Sequence, residues 1–180
     1  MNALRHLIEW DTAARVWLTT YHHPIADVVM EGLSVIGRGG GIWIAITLAL
    51  VGLDRSRGRA AALVLVALTL AFVMTDLVVK PLVARARPFE GAVAVRVIDR
   101  RPLTYSFPSG HAASAVAAAI TLGRIWPRGR LLLWSLATLV ALSRIYVGVH
   151  YPLDVLGGAA LGVACAWVAT RVGSRSPTSI

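Results

Sequence analysis

Charge is what this sequence lacks. Only 15% of its 180 residues are charged and 57% are hydrophobic, whereas a soluble domain carries about 25% charged residues. So few charges cannot coat a water-exposed surface, which excludes an ordinary cytosolic globule. The apolar excess, a mean hydropathy of +0.68, excludes a disordered chain. Lysine is nearly missing: Lys80 is the single lysine among the eighteen basic residues, and the others are arginine. Cysteine is nearly missing as well. Cys165 alone cannot form an intrachain disulfide and says nothing about redox compartment. After Arg5 no apolar run is long enough for the h-region of a signal peptide, and no internal repeat is evident. The length fits one domain.

What is present in abundance is apolar runs. A helix needs about 20 apolar residues to cross a bilayer, and in lipid only helices pair every backbone amide within such a segment. Ala60 to Val79, Leu131 to Val149 and Leu153 to Thr170 qualify; His111 to Trp126 is slightly short, and Gly41 to Leu53 and Pro24 to Gly37 are shorter still. The expected fold class is therefore all-α, an integral membrane bundle of six transmembrane helices over residues 24–172. Residues 1–23 alternate apolar and charged side chains in the manner of an interfacial amphipathic helix, and residues 173–180 read as a cytoplasmic tail.

The net charge of +9 raises the question of a nucleic-acid partner, and the positions of the arginines answer it. With six crossings, one side carries Arg5, Arg15, Arg55, Arg57, Arg59, Arg124, Arg128, Arg130, Arg171 and Arg175. The positive-inside rule makes that side cytoplasmic, with both termini on it and the Pro81 to Phe107 loop facing out. The charge sets orientation and implies a bilayer partner, with no nucleic acid.

Ionisable residues at membrane depth are costly and are functional candidates by default. They cluster at the outward helix ends: Lys80, Arg87-Pro88, Pro108-Ser109-Gly110-His111, Ser143-Arg144, His150 and Asp154. Lysine and arginine grip phosphate, arginine through a planar fork. The Ser109-Gly110 turn places free N–H groups at a helix start, where phosphate oxygens bind. A histidine held by a carboxylate, as His150 is by Asp154 at this spacing, is a nucleophile or base of fixed tautomer. His111 is then left as general acid. Asp76, one turn before Lys80, reads as its structural partner, and Tyr105 as an interfacial residue or a substrate contact. Arg85, Arg96, Arg100 and Arg101 read as solvated loop charge or as attraction for an anionic substrate.

Lys80-x6-Arg87-Pro88, Pro108-Ser109-Gly110-His111 and Ser143-Arg144-x5-His150-x3-Asp154 together resemble the three-part signature of the type 2 phosphatidic acid phosphatase superfamily. The resemblance covers residues from about 40 to 170 and departs at no signature position. It implies a membrane-embedded, metal-independent lipid phosphatase without cofactor. In that scheme His150 attacks phosphorus, Asp154 orients it and His111 protonates the leaving oxygen. Lys80, Arg87, Ser109, Gly110 and Arg144 hold the phosphate oxygens. A polyprenyl diphosphate of the undecaprenyl or decaprenyl type is the expected substrate, with phosphatidylglycerol phosphate or phosphatidate next. A lipid phosphotransferase and a non-enzymatic phospholipid binder are the alternatives of other classes.

Overall fold

Proline, glycine and a few capping side chains cut the apolar sequence into helices. The computed structural model describes residues 2–91 and 95–173. Helix α1 runs over Asn2–Leu18. Helix α2 (Pro24–Gly37) starts with Pro24 in its first turn, and the His23 side chain accepts from the Ile25 N–H. Helix α3 covers Gly41–Leu53. Helix α4 (Gly58–Phe72) passes without a break through a π-helical stretch, Val73–Val79, into the short α5 (Lys80–Val83). Helix α6 (Gly110–Ile125) is capped by Ser109, and α7 (Arg130–Tyr146) and α8 (Pro152–Gly173) complete the chain. Among the described residues there is no strand. The fold is the expected all-α bundle, built from α2, α3, α4 with α5, α6, α7 and α8, with α1 outside. Residues 174–180 of the expected tail lie outside the described residues.

The interior is built from smaller side chains than the exterior. Ala112, Ala113, Ala115, Ala117, Ala118 and Ala119 of α6 are buried, while Leu48, Leu65, Leu77, Leu131, Leu156 and Trp167 point outward. In lipid, burying leucine gains little over leaving it against acyl chains, so close packing of small residues holds helices together. The contact of α6 with α8 shows this directly. A Cβ on Gly158 would lie 2.3 Å from the Ser109 carbonyl oxygen, and one on Gly162 would lie 2.4 Å from that of Ala113. The two backbones therefore touch, and the Ser109 N–H donates to the Asp154 carbonyl at 2.9 Å. That junction sets the start of α6 against the start of α8, where the ionisable residues sit.

Two features of the N-terminal third depart from simple alternation of sides. At Gly39 (φ 58°) and Gly40 (φ 75°) the chain bends without reversing. The outer end of α2 is pinned where Asp27 accepts from the Tyr146 hydroxyl at 2.7 Å and pairs with Arg96 at 3.1 Å. Its far end, Gly37, packs on Val140, lower on α7, and Gly40 packs on Leu68 in mid-α4. Helix α3 then carries on toward the start of α4, so Pro24–Leu53 forms one kinked apolar stretch of 30 residues. The second departure corrects the placement of the N-terminal segment, expected at the end opposite the ionisable cluster. Asp11 of α1 accepts from the Leu153 N–H at 2.8 Å and pairs with Arg85 at 2.5 Å. Helix α1 therefore lies at the same end as the cluster, while Arg171 in the last turn of α8 lies at the other. Asp11 of α1 and Arg171 of α8 thus lie at opposite ends of the bundle.

Candidate active site

Five structural devices deliver side chains to one cavity of about 260 Å³. The π-helical stretch widens the helix before α5 and places Thr75, Asp76 and Lys80 on its wall; such insertions frequently occur at functional sites. The loop after α5 contributes Arg87 and Thr104. Gly110 and His111 come from the first turn of α6, Arg144 from the last turn of α7, and His150 from the turn before α8. Gly37, Gly39 and Gly40 of the bend, with Leu68 and Phe72 of α4, complete the lining. Phe72 is more than half exposed, so the cationic pocket has an exposed aromatic side chain in its lining.

His150 is buried between an acid and a cation. Its Nδ1 lies 3.3 Å from Asp154 Oδ2, and its Nε2 lies 3.5 Å from an Arg87 guanidinium nitrogen. The carboxylate can only accept, so the proton belongs on Nδ1 and the lone pair of Nε2 faces the cavity. Burial pushes His150 from 6.5 to about 4 against the pull of the Asp154 hydrogen bond, and the Arg144 and Arg87 charges add to the lowering. Its imidazole is thus neutral at neutral pH. Asp154 is itself held by Ser106, by the Tyr151 N–H at 2.8 Å and by Arg85 at 2.7 Å. Arg87 is fixed by backbone acceptors: Nε donates to the Thr104 carbonyl at 2.6 Å, and the two terminal nitrogens donate to Val149 and Tyr105 carbonyls at 2.8 and 3.1 Å.

The far side of the cavity is organised around Arg144. It donates to Asp99 at 2.8 Å and to the Ser34 hydroxyl, and Asp99 also binds Arg38 and accepts from Ser34. Burial works to raise the Asp99 carboxyl, but the Ser34 hydroxyl, the Arg100 N–H and the Arg144 and Arg38 charges outweigh it and hold it below its ordinary value. The Nε of Arg144 is buried and has no hydrogen-bond partner among the described residues, a donor available to an anion. His111 donates from Nε2 to the Ser34 carbonyl at 3.1 Å, which leaves Nδ1 as its basic nitrogen. Lys80 pairs with Asp76 at 2.5 Å.

Gly37 fixes the position of His111. A Cβ there would lie 2.9 Å from His111 Cδ2 and 2.8 Å from Val140 Cγ1. Gly37→Ala is expected to displace the imidazole, lowering turnover about tenfold or more, since a shift of about 1 Å in a reacting group carries a cost of that order or larger. Overpacking also costs roughly 1–3 kcal/mol of stability. Turnover and melting of the purified variant check this; wild-type turnover would show that His111 tolerates the shift.

Of the residues singled out in the sequence, Lys80, Arg87, Gly110, His111, Arg144, His150 and Asp76 all line the cavity. Asp154 stands directly behind His150. Ser109 does not reach the wall: it is fully buried, and its hydroxyl accepts from the Ala112 N–H at 3.5 Å as the cap of α6. Tyr105 takes part through its carbonyl, with its ring about half exposed. Arg85 is not solvated charge, because two buried carboxylates enclose it. Sequence reasoning missed Ser34, Asp99, Thr104, Ser106 and Asp11. Asp11 and Arg15, four apart in α1, are buried, while Leu7, Ile8, Trp10, Val16 and Trp17 of the same helix are exposed.

A PAP2 superfamily model matches residues 60–177. The chain belongs to the PAP2 superfamily. Among curated PAP2 relatives, an undecaprenyl-diphosphatase of Sulfolobus acidocaldarius is 35% identical over 150 residues, 83% of this chain and 71% of that protein. A decaprenylphosphoryl-5-phosphoribose phosphatase of Mycobacterium tuberculosis is 46% identical over 95 residues, 53% of this chain and 51% of its own length. The crystal structure of LpxE from Aquifex aeolicus superposes with a TM-score of 0.72 at 26% identity, covering 88% of this chain and 93% of that one. A PAP2-type phosphatidylglycerolphosphate phosphatase from Bacillus subtilis, 22% identical, shares the fold with a TM-score of 0.75 over 100% of this chain and 90% of its own. This PAP2 protein is a membrane-embedded lipid phosphatase.

Proposed function

We propose that the chain removes the terminal phosphate from a polyprenyl diphosphate through a phosphohistidine on His150. The observation that carries this is the setting of His150: Nδ1 on Asp154, Nε2 turned to the cavity beside Arg87, with Arg144 and Lys80 lining the same cavity. Nε2 attacks the terminal phosphorus as the bond to the bridging oxygen breaks, and His111, entering this step as the imidazolium with a second proton on Nδ1, gives that proton to the oxygen. Arg87, Arg144, Lys80 and the N–H groups at the start of α6 stabilise the charge on the three equatorial oxygens. Water then attacks the phosphohistidine, His111 takes its proton, the P–N bond breaks and inorganic phosphate leaves. Among the described residues no cluster of three or more histidine, cysteine or acidic side chains could hold a metal, and the scheme needs none.

Two observations support a polyprenyl substrate. The pocket has the exposed, apolar Phe72 in its lining, and the Sulfolobus and Mycobacterium relatives are named for an undecaprenyl diphosphate and a decaprenylphosphoryl phosphoribose. The arginines support an extracytoplasmic site. The end opposite the cavity carries Arg55, Arg57, Arg59, Arg124, Arg128, Arg130 and Arg171 against one acid, Asp54. At the cavity end, Arg15, Lys80, Arg87 and Arg144 are buried, Arg5, Arg38, Arg85 and Arg96 are paired with acids, and Arg100 and Arg101 are the exposed remainder. The positive-inside rule then places the opposite end in the cytoplasm.

The experiment is phosphate release by purified protein over a panel of undecaprenyl diphosphate, phosphatidylglycerol phosphate and phosphatidate, with and without chelator. Fastest turnover on the diphosphate, unaffected by chelator and blocked by vanadate, is expected. A strict magnesium requirement overturns the mechanism; preference for a glycerolipid overturns the substrate.

A further inference from the structure

The mechanism uses Asp154 and leaves unexplained why Asp11, on a helix outside the bundle, is completely buried. Asp11 sits at 0% exposure with its two oxygens in use: Oδ2 accepts from Arg85 at 2.5 Å and Oδ1 accepts from the Leu153 N–H at 2.8 Å. The other arm of the Arg85 guanidinium donates to Asp154 Oδ1 at 2.7 Å. The face of Arg85 stacks on the Tyr151 ring, 4.0 Å from its centroid. Burial acts against the Arg85 charge, but Asp11 and Asp154 outweigh it and hold its pKa above the ordinary value. One guanidinium thus bridges two carboxylates, one from α1 and one behind the nucleophile.

We infer that Asp11 is a positioning residue for catalysis: through Arg85 it fixes the Asp154 carboxylate, and so the ring of His150. The two contacts of Asp11 do different jobs. The bond to the Leu153 N–H satisfies one of the unpaired donors in the first turn of α8, which is a structural role. The ion pair with Arg85 balances a cation that would otherwise swing toward Asp154 alone or toward water. With Asp11 in place, Arg85 is held at both ends, and Asp154 presents Oδ2 to His150 while Oδ1 is occupied. Trp10, Trp17, Leu7 and Ile8 on the outward face of α1 are exposed, so the helix is seated by lipid on one side and by this bridge on the other. The end of the chain farthest in sequence from the nucleophile therefore supports its geometry.

The inference rests on the nucleophile reading of His150, and the test separates the two. Asp11→Asn keeps an oxygen for the Leu153 N–H and replaces the charged acceptor facing Arg85 with an NH₂ group; Asp11→Ala removes both acceptors. Phosphate release from undecaprenyl diphosphate by the full chain is measured for wild type, Asp11→Asn, Asp11→Ala, Arg85→Gln and the Asp11→Asn/Arg85→Gln double variant, with melting recorded for each. Asp11→Asn is expected to lower kcat about tenfold with KM within about twofold, the size seen when an outer partner of a catalytic ligand is lost. Because Asp11 acts through Arg85, the double variant is expected to match Arg85→Gln rather than fall further. Wild-type kcat in Asp11→Asn, or losses that multiply in the double variant, overturn the inference. So does a pattern in which only Asp11→Ala suffers, in melting and turnover together, since Asp11 is then a helix cap alone. Full activity in a His150→Ala control would remove the nucleophile itself, a different failure.

Discussion

Replacing His150 by alanine is expected to abolish phosphate release, a fall of about 10⁴-fold or more on the scale seen when covalent nucleophiles are removed, while the protein still folds. The size follows from the scheme, since without Nε2 there is no covalent intermediate and water must attack the lipid phosphate directly. Nothing else in the cavity can substitute. His111 is held by the Ser34 carbonyl at 3.1 Å and serves as the proton donor, and the nitrogen 3.5 Å from His150 Nε2 belongs to Arg87, a cation with no lone pair to offer. Folding should survive because His150 contributes a single side-chain bond to Asp154, whose carboxylate keeps Arg85, Ser106 and the Tyr151 N–H. Unchanged melting with lost turnover is the expected pair of measurements. Retained turnover removes His150 from the reaction.

The second large effect is expected at Asp154. Asp154→Asn preserves shape and volume but replaces an oxygen with an NH₂ group. Four donors surround the carboxylate: Arg85, Ser106, the Tyr151 N–H and His150 Nδ1–H. An amide has one oxygen to share among them, so one or more donors must face another donor in a buried site, at about 1–3 kcal/mol. If the amide NH₂ turns to His150, it donates to Nδ1, the proton moves to Nε2 and the lone pair leaves the cavity. A fall in kcat of about 10³ to 10⁴-fold is expected by analogy with other acid–histidine pairs, with a smaller change in KM because the phosphate ligands are untouched. Steady-state kinetics on undecaprenyl diphosphate check it; a drop under tenfold would show that Asp154 is a helix-end residue rather than the partner that sets the tautomer.

The cavity was largely legible in the sequence because each signature residue sits at a helix end, and spacing within one chain segment fixes which end. His150 and Asp154, four apart across the start of α8, could be paired from spacing alone. The partners of those residues were not legible. Asp99 meets Arg144 from 45 positions away and Asp11 meets Arg85 from 74, distances over which only the docking of loops decides the pairing. Ser109 was legible as a turn but not as a cap, since the same serine can point its hydroxyl at a ligand or at its own helix. The side of α1 was misread for a physical reason: Gly39-Gly40 permits a reversal or a bend equally well. What selects the bend is the anchoring of Asp27 to Tyr146 and Arg96, which no local pattern contains. Helix positions themselves were clear, because Pro24, Gly58, Pro108, Pro127 and Pro152 punctuate the apolar runs.

The most direct measurement is to trap the intermediate. Purified protein is mixed with undecaprenyl diphosphate labelled in its terminal phosphate, quenched in alkali within the first turnover, and digested for peptide mapping. Label that is stable in base, lost in acid and confined to the peptide containing His150 is the expected result. Turnover with no protein-bound label in a rapid-quench series, or label on any other residue, would contradict the account.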